Sequence, residues 1–176
     1  MLGVRRRILL GIFAIPLGLS VVPWNSCLTG EKPTIVLIVR HAEKSAPSGD
    51  IPLSQAGFER AQVLACVLAD ANISAIYTSK FIRTIQTAEP LAKRLNLVPQ
   101  QIYEVETLAK NILEHHAGQT VLVVHHSDTV PELIKALGAD TKPEIADNEF
   151  DKLFVVTVYA PHRAHALILH YGKNSQ

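Results

Sequence analysis

The stretch from residue 34 to residue 44, TIVLIVRHAEK, constrains the fold of this chain more than any other part of the sequence. Five consecutive apolar residues run directly into Arg40 and His41. A short, unbroken apolar run is typical of a strand that is buried on both faces of a parallel sheet. Because ligands bind beyond the carboxyl ends of such strands, the pattern predicts that Arg40 and His41 face a crevice. The alternative is an ordinary surface loop.

The residue types at this point favour phosphate chemistry. An arginine presents a planar set of N–H donors that suits phosphate oxygens, and a neutral histidine presents a nucleophilic nitrogen. A third residue, Arg83, lies in the first turn of a predicted helix, where the helix dipole disfavours a cation. That unfavourable position favours a functional role for Arg83 over that of a solvated surface residue.

Composition excludes several classes of protein. A chain of 176 residues that is 48% hydrophobic and 19% charged is typical of one folded domain. Its net charge of +1 gives no strongly basic field, so nucleic acid is not a predicted partner. The eight histidines and two cysteines do not follow metal-ligand spacing. The sequence therefore predicts no metal site and no cofactor.

The first 27 residues have the layout of an export signal or a membrane anchor. Three arginines, at positions 5–7, precede a fifteen-residue apolar segment at 8–22. That segment is shorter than the roughly twenty residues of a membrane span, which favours a secretory signal. We expect an exported, periplasmic or cell-envelope protein, with membrane association through this segment as the alternative. Residues 28–33 are a predicted linker, and residues 34–172 are the predicted folded domain.

Strand and helix patterns alternate along the rest of the chain. They predict a three-layer α/β/α sandwich with a mostly parallel central sheet and a C-terminal β-hairpin at its edge. Ser54 is the expected N-cap of the first helix, and Cys66 is expected in the core. The sequence neither requires nor excludes a disulfide between Cys27 and Cys66. Further predicted strands span 74–79, 100–105 and 120–124, the predicted helices span 58–70, 81–95, 108–116 and 129–137, and the hairpin pairs 152–159 with 164–171.

Four separate motifs resemble those of the histidine phosphatase superfamily, in its phosphoglycerate-mutase-like branch. They are Arg-His-Ala-Glu-Lys at 40–44, Leu-Ser-x-x-Gly at 53–57, the arginine-bearing segment at 79–88, and His126-Ser127. The resemblance covers about residues 34–137, and the short phosphohistidine phosphatases are closest in size. One departure is His125, which stands where the family usually has glycine. Its side chain is expected to point away from the site and to serve the core.

The resemblance implies a mechanism and a set of site residues. His41 would attack phosphorus and become phosphohistidine, Arg40 and Arg83 would hold the phosphoryl oxygens, and His126 would donate to the same oxygens. Cationic side chains would replace a metal ion, so a metal-independent enzyme is implied. The general acid is left open among Glu104, Glu106, Asp50 and Asp128. Substrate contacts are considered at Ser79, Thr84 and Ser127, with helix capping as the alternative for the first two.

The expected activity is hydrolysis of phosphomonoesters. Only about forty residues separate Arg83 from His126, which leaves little chain for the closing lid of a mutase. Export would place a phosphorylated small molecule or an envelope component within reach. The alternatives are a phosphohistidine protein phosphatase and a non-catalytic phosphate-binding module on the same fold. Nothing in the sequence predicts an oligomeric state.

Overall fold

The structure is a computed structural model that describes residues 32–174. The predicted export segment, most of the predicted linker and Cys27 lie outside the described residues. Among residues 32–174, no helix has the length and apolar character needed to cross a membrane.

Residues 32–174 form four helices and a six-stranded sheet. The elements are β1 (Thr34–Arg40), α1 (Gln55–Val67), β2 (Ile73–Thr78), α2 (Ile82–Leu95), β3 (Gln100–Gln101), α3 (Val105–His115), β4 (Thr120–His125), α4 (Thr129–Ala136), β5 (Lys152–Ala160) and β6 (Arg163–His170). In the sheet, the strand order is β3-β2-β4-β1-β5-β6. The first four of these are parallel to one another, β5 runs antiparallel to β1, and β6 runs antiparallel to β5. The predicted mostly parallel sheet with a C-terminal hairpin at its edge is confirmed.

Apolar side chains cover both faces of the sheet. Along β1, Val36 and Ile38 pack on one face with buried residues of α3 and α4. Leu37 and Val39 point to the other face and pack with buried residues of α1 and α2. This alternation is the expected period of a strand, and it gives the predicted three layers. A continuous apolar run is required because neither face of β1 meets solvent.

Two local predictions are wrong. The strand expected over 100–105 ends at Gln101, because Glu104 already serves as the N-cap of α3. The side chain of Cys66 is exposed, whereas the core was expected. The buried face of α1 contains Ala65, and the next residue lies about 100° further around the helix.

Candidate active site

The carboxyl ends of β1 and β4 lie side by side. Arg40 is the register partner of His125, and the backbone N–H of His41 donates to the His125 carbonyl at 2.8 Å. This pairing brings the two predicted histidine motifs together at one edge of the sheet. Arg40, His41, Arg83 and His126 line a single pocket of about 400 Å³. The other lining residues are Lys44, Phe81, Tyr103, Ser127, Asp128 and Asp147.

The imidazole of His41 is held in one tautomer. Its Nδ1 atom lies 2.8 Å from the carbonyl oxygen of Ala42. A carbonyl oxygen accepts only, so Nδ1 carries the proton and Nε2 keeps its lone pair. Burial lowers the pKa of His41 to about 4, and the positive charges of Arg40 and Arg83 act in the same direction. The ring is therefore neutral at pH 7 and has a nucleophilic Nε2.

The residue that orients His41 is itself fixed by α2. The N–H of Ala42 donates to the Thr87 hydroxyl at 2.9 Å. That hydroxyl donates in turn to the carbonyl of Arg83 at 2.7 Å. The chain segment after the nucleophile is thus tied to the helix that carries the second arginine.

Arg40 connects the pocket to the loop that precedes β5. Its Nη1 atom donates to the carbonyl oxygens of Ala146, Asp147 and Glu149, at 2.8, 3.0 and 3.2 Å. The guanidinium carbon lies 4.4 Å from the ring centroid of Phe150. The Nε atom is buried and has no partner among the described residues. Arg40 therefore fixes this loop and keeps one buried N–H donor without a partner among the described residues.

Arg83 and His126 contact each other across the pocket. The Nη2 atom of Arg83 lies 3.3 Å from Nδ1 of His126, and the rings of His126 and His41 are 5.4 Å apart between centroids. Because a guanidinium only donates, Nδ1 of His126 accepts and carries no proton. The other contacts of Arg83 are long, at 3.5 Å to the carbonyl of Gly49 and 4.0 Å to Asp50.

A hydrogen-bond chain behind His126 fixes the opposite side of its ring. Nε2 lies 2.9 Å from Oγ of Ser79, which lies 2.9 Å from Oγ1 of Thr84. Thr84 donates to the carbonyl of Phe81 at 2.8 Å. With that last donor assigned, Ser79 donates to Thr84 and accepts from Nε2–H of His126. The hydrogen bonds at Nδ1 and at Nε2 thus specify the same tautomer of His126.

The structure places Ser79 and Thr84, for which substrate contact and helix capping were both considered, away from the pocket. Ser79 and Thr84 are fully buried behind His126 and do not line the pocket. Their hydroxyls are occupied by each other, by the imidazole and by backbone carbonyls. Of the three residues considered for substrate contact, only Ser127 lines the pocket.

His126 is neutral in this arrangement. Burial lowers its pKa to about 3, and the charge of Arg83 acts in the same direction. The hydrogen bond to phosphate that the resemblance implies therefore needs an additional proton on Nδ1. An adjacent phosphoryl dianion would favour that protonation, because an opposite charge stabilises the imidazolium.

His125 points away from the pocket, as expected. Its Nδ1 atom lies 2.6 Å from Oγ1 of Thr129, and its Nε2 lies 3.2 Å from the carbonyl of Ile102. The side chain is buried and is absent from the pocket lining. Burial lowers its pKa, so it is a neutral core histidine with both ring nitrogens bonded.

The structure separates the four candidate acids. Glu104 and Glu106 are exposed at the beginning of α3 and do not line the pocket. Asp50 caps α2 by accepting the Ile82 N–H at 2.9 Å, and it also lies outside the lining. Asp128 does line the pocket, and its carboxylate accepts the N–H of Thr129 at 2.9 Å. Glu104, Glu106 and Asp50 occupy solvent-facing or helix-capping positions. The spacing of residues along the sequence does not distinguish such positions from positions in the pocket.

Sequence reasoning missed Asp147 as a pocket residue. It belongs to the long loop between α4 and β5, whose backbone Arg40 binds. Its carboxylate has no hydrogen-bond or ion-pair partner among residues 32–174, and it lines the pocket. Tyr103 and Phe81, which contact each other at 6.1 Å between ring centroids, also line the pocket without having been predicted. No periodic pattern marks any of the three.

The Leu-Ser-x-x-Gly segment supports the site from outside. Oγ of Ser54 accepts the Gly57 N–H at 3.1 Å, which confirms the predicted N-cap of α1. A Cβ atom at Gly57 would overlap the carbonyl oxygen of Glu43, so α1 packs directly on the backbone that follows His41. The Glu43 carboxylate binds Arg60 of α1 at 2.8 Å. The segment is therefore structural.

Within the described part of the chain, no group of three or more histidine, cysteine or acidic side chains is placed to hold a metal ion. The positive charge at the pocket comes from side chains. Arg40, Arg83 and Lys44 line it together with the two carboxylates named above.

The family model for branch 1 of the histidine phosphatase superfamily matches residues 36–105. That segment contains Arg40, His41 and Arg83, and β4 adds His126 to the same pocket. Over these seventy residues, the chain is similar to the histidine phosphatase superfamily. No curated protein sequence matches the chain significantly.

The fold of residues 32–174 is similar to that of several solved phosphatase structures. The protein histidine phosphatase SixA complexed with tungstate has a TM-score of 0.61 at 21% identity, covering 78% of this chain and 95% of that one. Mycobacterial glucosyl-3-phosphoglycerate phosphatase has a TM-score of 0.61 at 14% identity, covering 82% and 100%. A phosphoserine phosphatase mutant from Entamoeba histolytica, in complex with phosphoserine, has a TM-score of 0.58 at 14% identity, covering 78% and 96%.

Proposed function

We propose that this chain is a phosphatase that hydrolyses phosphomonoesters through a phosphohistidine at His41. The observation that carries the proposal is the neutral His41 ring, whose Nδ1 binds the Ala42 carbonyl while the ring lines a pocket with two arginines. A neutral imidazole with a free Nε2 lone pair is the nucleophilic form of histidine.

The reaction proceeds in two displacements. The Nε2 lone pair of His41 forms a bond to phosphorus while the bond from phosphorus to the ester oxygen breaks. Arg40 and Arg83 stabilise the negative charge on the non-bridging oxygens. Water then attacks phosphorus, the P–N bond breaks, and inorganic phosphate leaves with Nε2 unprotonated again.

The leaving alcohol oxygen needs a proton in the first displacement. We assign this role to Asp147, because its backbone is fixed by Arg40 and its carboxylate is unpartnered within the described residues. Asp128 also lines the pocket, but its carboxylate caps α4. In the second displacement, the Asp147 carboxylate accepts the proton of the attacking water.

Side-chain cations supply the charge that a metal ion would otherwise provide. The pocket contains Arg40, Arg83 and Lys44, which suits a dianionic phosphoryl group without a bound ion. We therefore propose a metal-independent enzyme, whose turnover is unaffected by a chelator such as EDTA.

We also propose that the enzyme acts outside the cytoplasm, on phosphorylated small molecules or envelope components. The basis is the arginine-then-apolar pattern of the first 27 residues. Fractionation of cells that produce the full chain with a C-terminal tag tests this location. Recovery in the cytoplasm would instead favour phosphohistidine proteins, the class named for the SixA neighbour.

Trapping of the phosphoenzyme tests the activity directly. The protein is incubated with a 32P-labelled phosphomonoester, quenched in alkali, and examined for acid-labile label. We expect label on the wild type and on His165→Ala, which removes an exposed hairpin histidine, and none on His41→Ala. A wild-type protein that binds phosphate but acquires no label would be a phosphate-binding module.

A further inference from the structure

The strand β6 is the last strand of the sheet, so one of its two edges faces away from β5. The N–H of Tyr171, directly after β6, donates to the Asp151 carbonyl on the β5 side at 2.9 Å. The N–H of Ala164 points the other way and donates to the Gly138 carbonyl at 3.2 Å. Because paired and unpaired residues alternate along an antiparallel strand, every second residue after Ala164 turns its N–H and C=O toward this outer edge.

Three residues of the outer edge have no backbone partner on that side within residues 32–174. They are Ala166, Ile168 and His170. Before them the edge is closed, because Ala164 forms a parallel bridge with Ala139. After them β6 ends, at His170. The open edge is therefore short and has defined limits at both ends.

The side chains along this edge are apolar and exposed. Leu167, Ile168 and Leu169 are 50%, 44% and 44% exposed, and they alternate between the two faces of the strand. No lysine, arginine, aspartate, glutamate or proline occurs between Ala164 and His170. Soluble proteins usually protect a free edge with such residues, because an unprotected edge pairs with another strand. The composition therefore marks this edge as a pairing surface.

One antiparallel register lets a second copy of β6 pair with every free backbone group of the edge. When Ile168 lies opposite Ile168 of the second copy, Ala166 lies opposite His170, and each such pair exchanges two backbone hydrogen bonds. Leu167 then lies opposite Leu169, at a position where the side chains of the two strands are closest. A shift of two residues in either direction leaves Ala166 or His170 without a partner. In this register, each exposed apolar side chain faces an apolar one.

We propose that two copies of this chain associate through the outer edge of β6, about a two-fold axis at Ile168, and join their sheets into one. The occupant is a second copy because a single symmetric register matches all the free backbone groups and all the exposed apolar side chains. A net charge of +1 gives little repulsion between copies. Since one strand pair is small beside the roughly 1,200–2,000 Å² of stable interfaces, we expect a reversible dimer. The inference does not depend on the proposed activity.

Cysteine cross-linking of the full chain in mild detergent tests the register. Each variant carries one new cysteine in a Cys27→Ser, Cys66→Ser background and is oxidised with copper phenanthroline. Ile168→Cys should link to its own copy, because the Cα atoms of such a pair lie about 5.5 Å apart. Leu167→Cys should not, because the offset of two residues along the strands separates its Cα atoms by more than the roughly 7 Å that a disulfide spans.

The control for random collisions is Val98→Cys, since Val98 is 88% exposed and lies outside β6. The initial rate of linking should be at least about tenfold higher for Ile168→Cys than for Val98→Cys. Equal rates at these two positions, or linking at Leu167 in place of Ile168, would overturn the proposal.

Analytical ultracentrifugation of the full chain supplies the second test. Ile168→Lys places two ammonium groups opposite each other across the two-fold axis, and like charges in that position destabilise strand pairing. We expect the wild type and Val98→Lys to form dimers at about 100 μM, and the dimer Kd of Ile168→Lys to rise at least about tenfold. Circular dichroism checks that Ile168→Lys is folded.

Two results would contradict the dimer. One is a wild type that is monomeric at about 100 μM. The other is a folded Ile168→Lys variant that associates as tightly as the wild type, because the contact would then lie in another part of the chain.

Discussion

The Nε2 atom of His126 lies 2.9 Å from Oγ of Ser79, on the side of the ring opposite Arg83. This contact orients the second histidine of the pocket from behind. Ser79→Ala should lower kcat by about fivefold with little change in KM, because a lost hydrogen bond costs about 1 kcal/mol and the ring is then free to change tautomer. Steady-state kinetics measure the effect. Ser74→Ala, at an exposed hydroxyl of β2, is the matched control and should leave kcat unchanged.

Arg40 and Arg83 should differ in what a lysine replacement costs. Arg40→Lys loses three bonds to loop carbonyls and the contact with Phe150, so we expect the free energy of unfolding to fall by about 2 kcal/mol as well as a loss of activity. Arg83→Lys should also lose activity, but its free energy of unfolding should fall by less than about 0.5 kcal/mol. Urea unfolding and kinetics measure both. Equal destabilisation by the two variants would contradict the assignment.

The leaving group should determine how much Asp147 matters. Asp147→Asn is expected to lower kcat/KM for glycerol 3-phosphate by about a hundredfold. It should change p-nitrophenyl phosphate hydrolysis by less than about threefold, because that leaving group needs no proton. Asp128→Asn is the comparison, since it removes the other pocket carboxylate. If Asp128→Asn shows the selective loss instead, the acid has been assigned to the wrong residue.

Stability should fall as the solution becomes acidic. His41 and His126 have folded pKa values of about 4 and 3, below the ordinary histidine value of 6.5. The unfolded chain therefore binds more protons than the folded chain between about pH 6.5 and 4. Each histidine should lower the free energy of unfolding by up to about 1.4 kcal/mol per pH unit in that window. His41→Asn should show a shallower pH dependence in urea unfolding, and an unchanged slope would argue against a neutral buried ring.

Gly57 should tolerate no side chain. Gly57→Ala is expected to lower the free energy of unfolding by about 2 kcal/mol or more, because its Cβ would overlap the backbone of Glu43. Gln62→Ala, at an exposed position of the same helix, should change it by less than about 0.5 kcal/mol. Thermal or urea denaturation compares the two. Equal stabilities would mean that the α1 backbone moves freely away from Glu43.

The parts of the fold that the sequence predicted are those with local signals. An apolar run followed by Arg-His predicted β1, with both polar residues at its carboxyl end. The similar run at 120–124 predicted β4, which pairs with β1 in the structure. Ser54 signalled the start of α1. Each of these signals depends on a few adjacent residues, which is why it is visible without coordinates.

The missed parts of the site depend on contacts between distant residues. Asp147 reaches the pocket because Arg40 binds backbone carbonyls of its loop. Since every residue has a backbone carbonyl, the sequence contains no signal for this contact. The sequence left substrate contact and helix capping both open for Ser79 and Thr84. Their burial behind His126 follows from where β4 ends, which spacing along the chain does not specify.

The bond from Nδ1 of His41 to the Ala42 carbonyl has a practical consequence for mutagenesis. The carbonyl oxygen that orients the His41 ring belongs to the main chain, so substitution of the side chain at position 42 leaves it in place. An amide-to-ester substitution that weakens this carbonyl as an acceptor, introduced by chemical ligation, is the perturbation that would reveal its contribution.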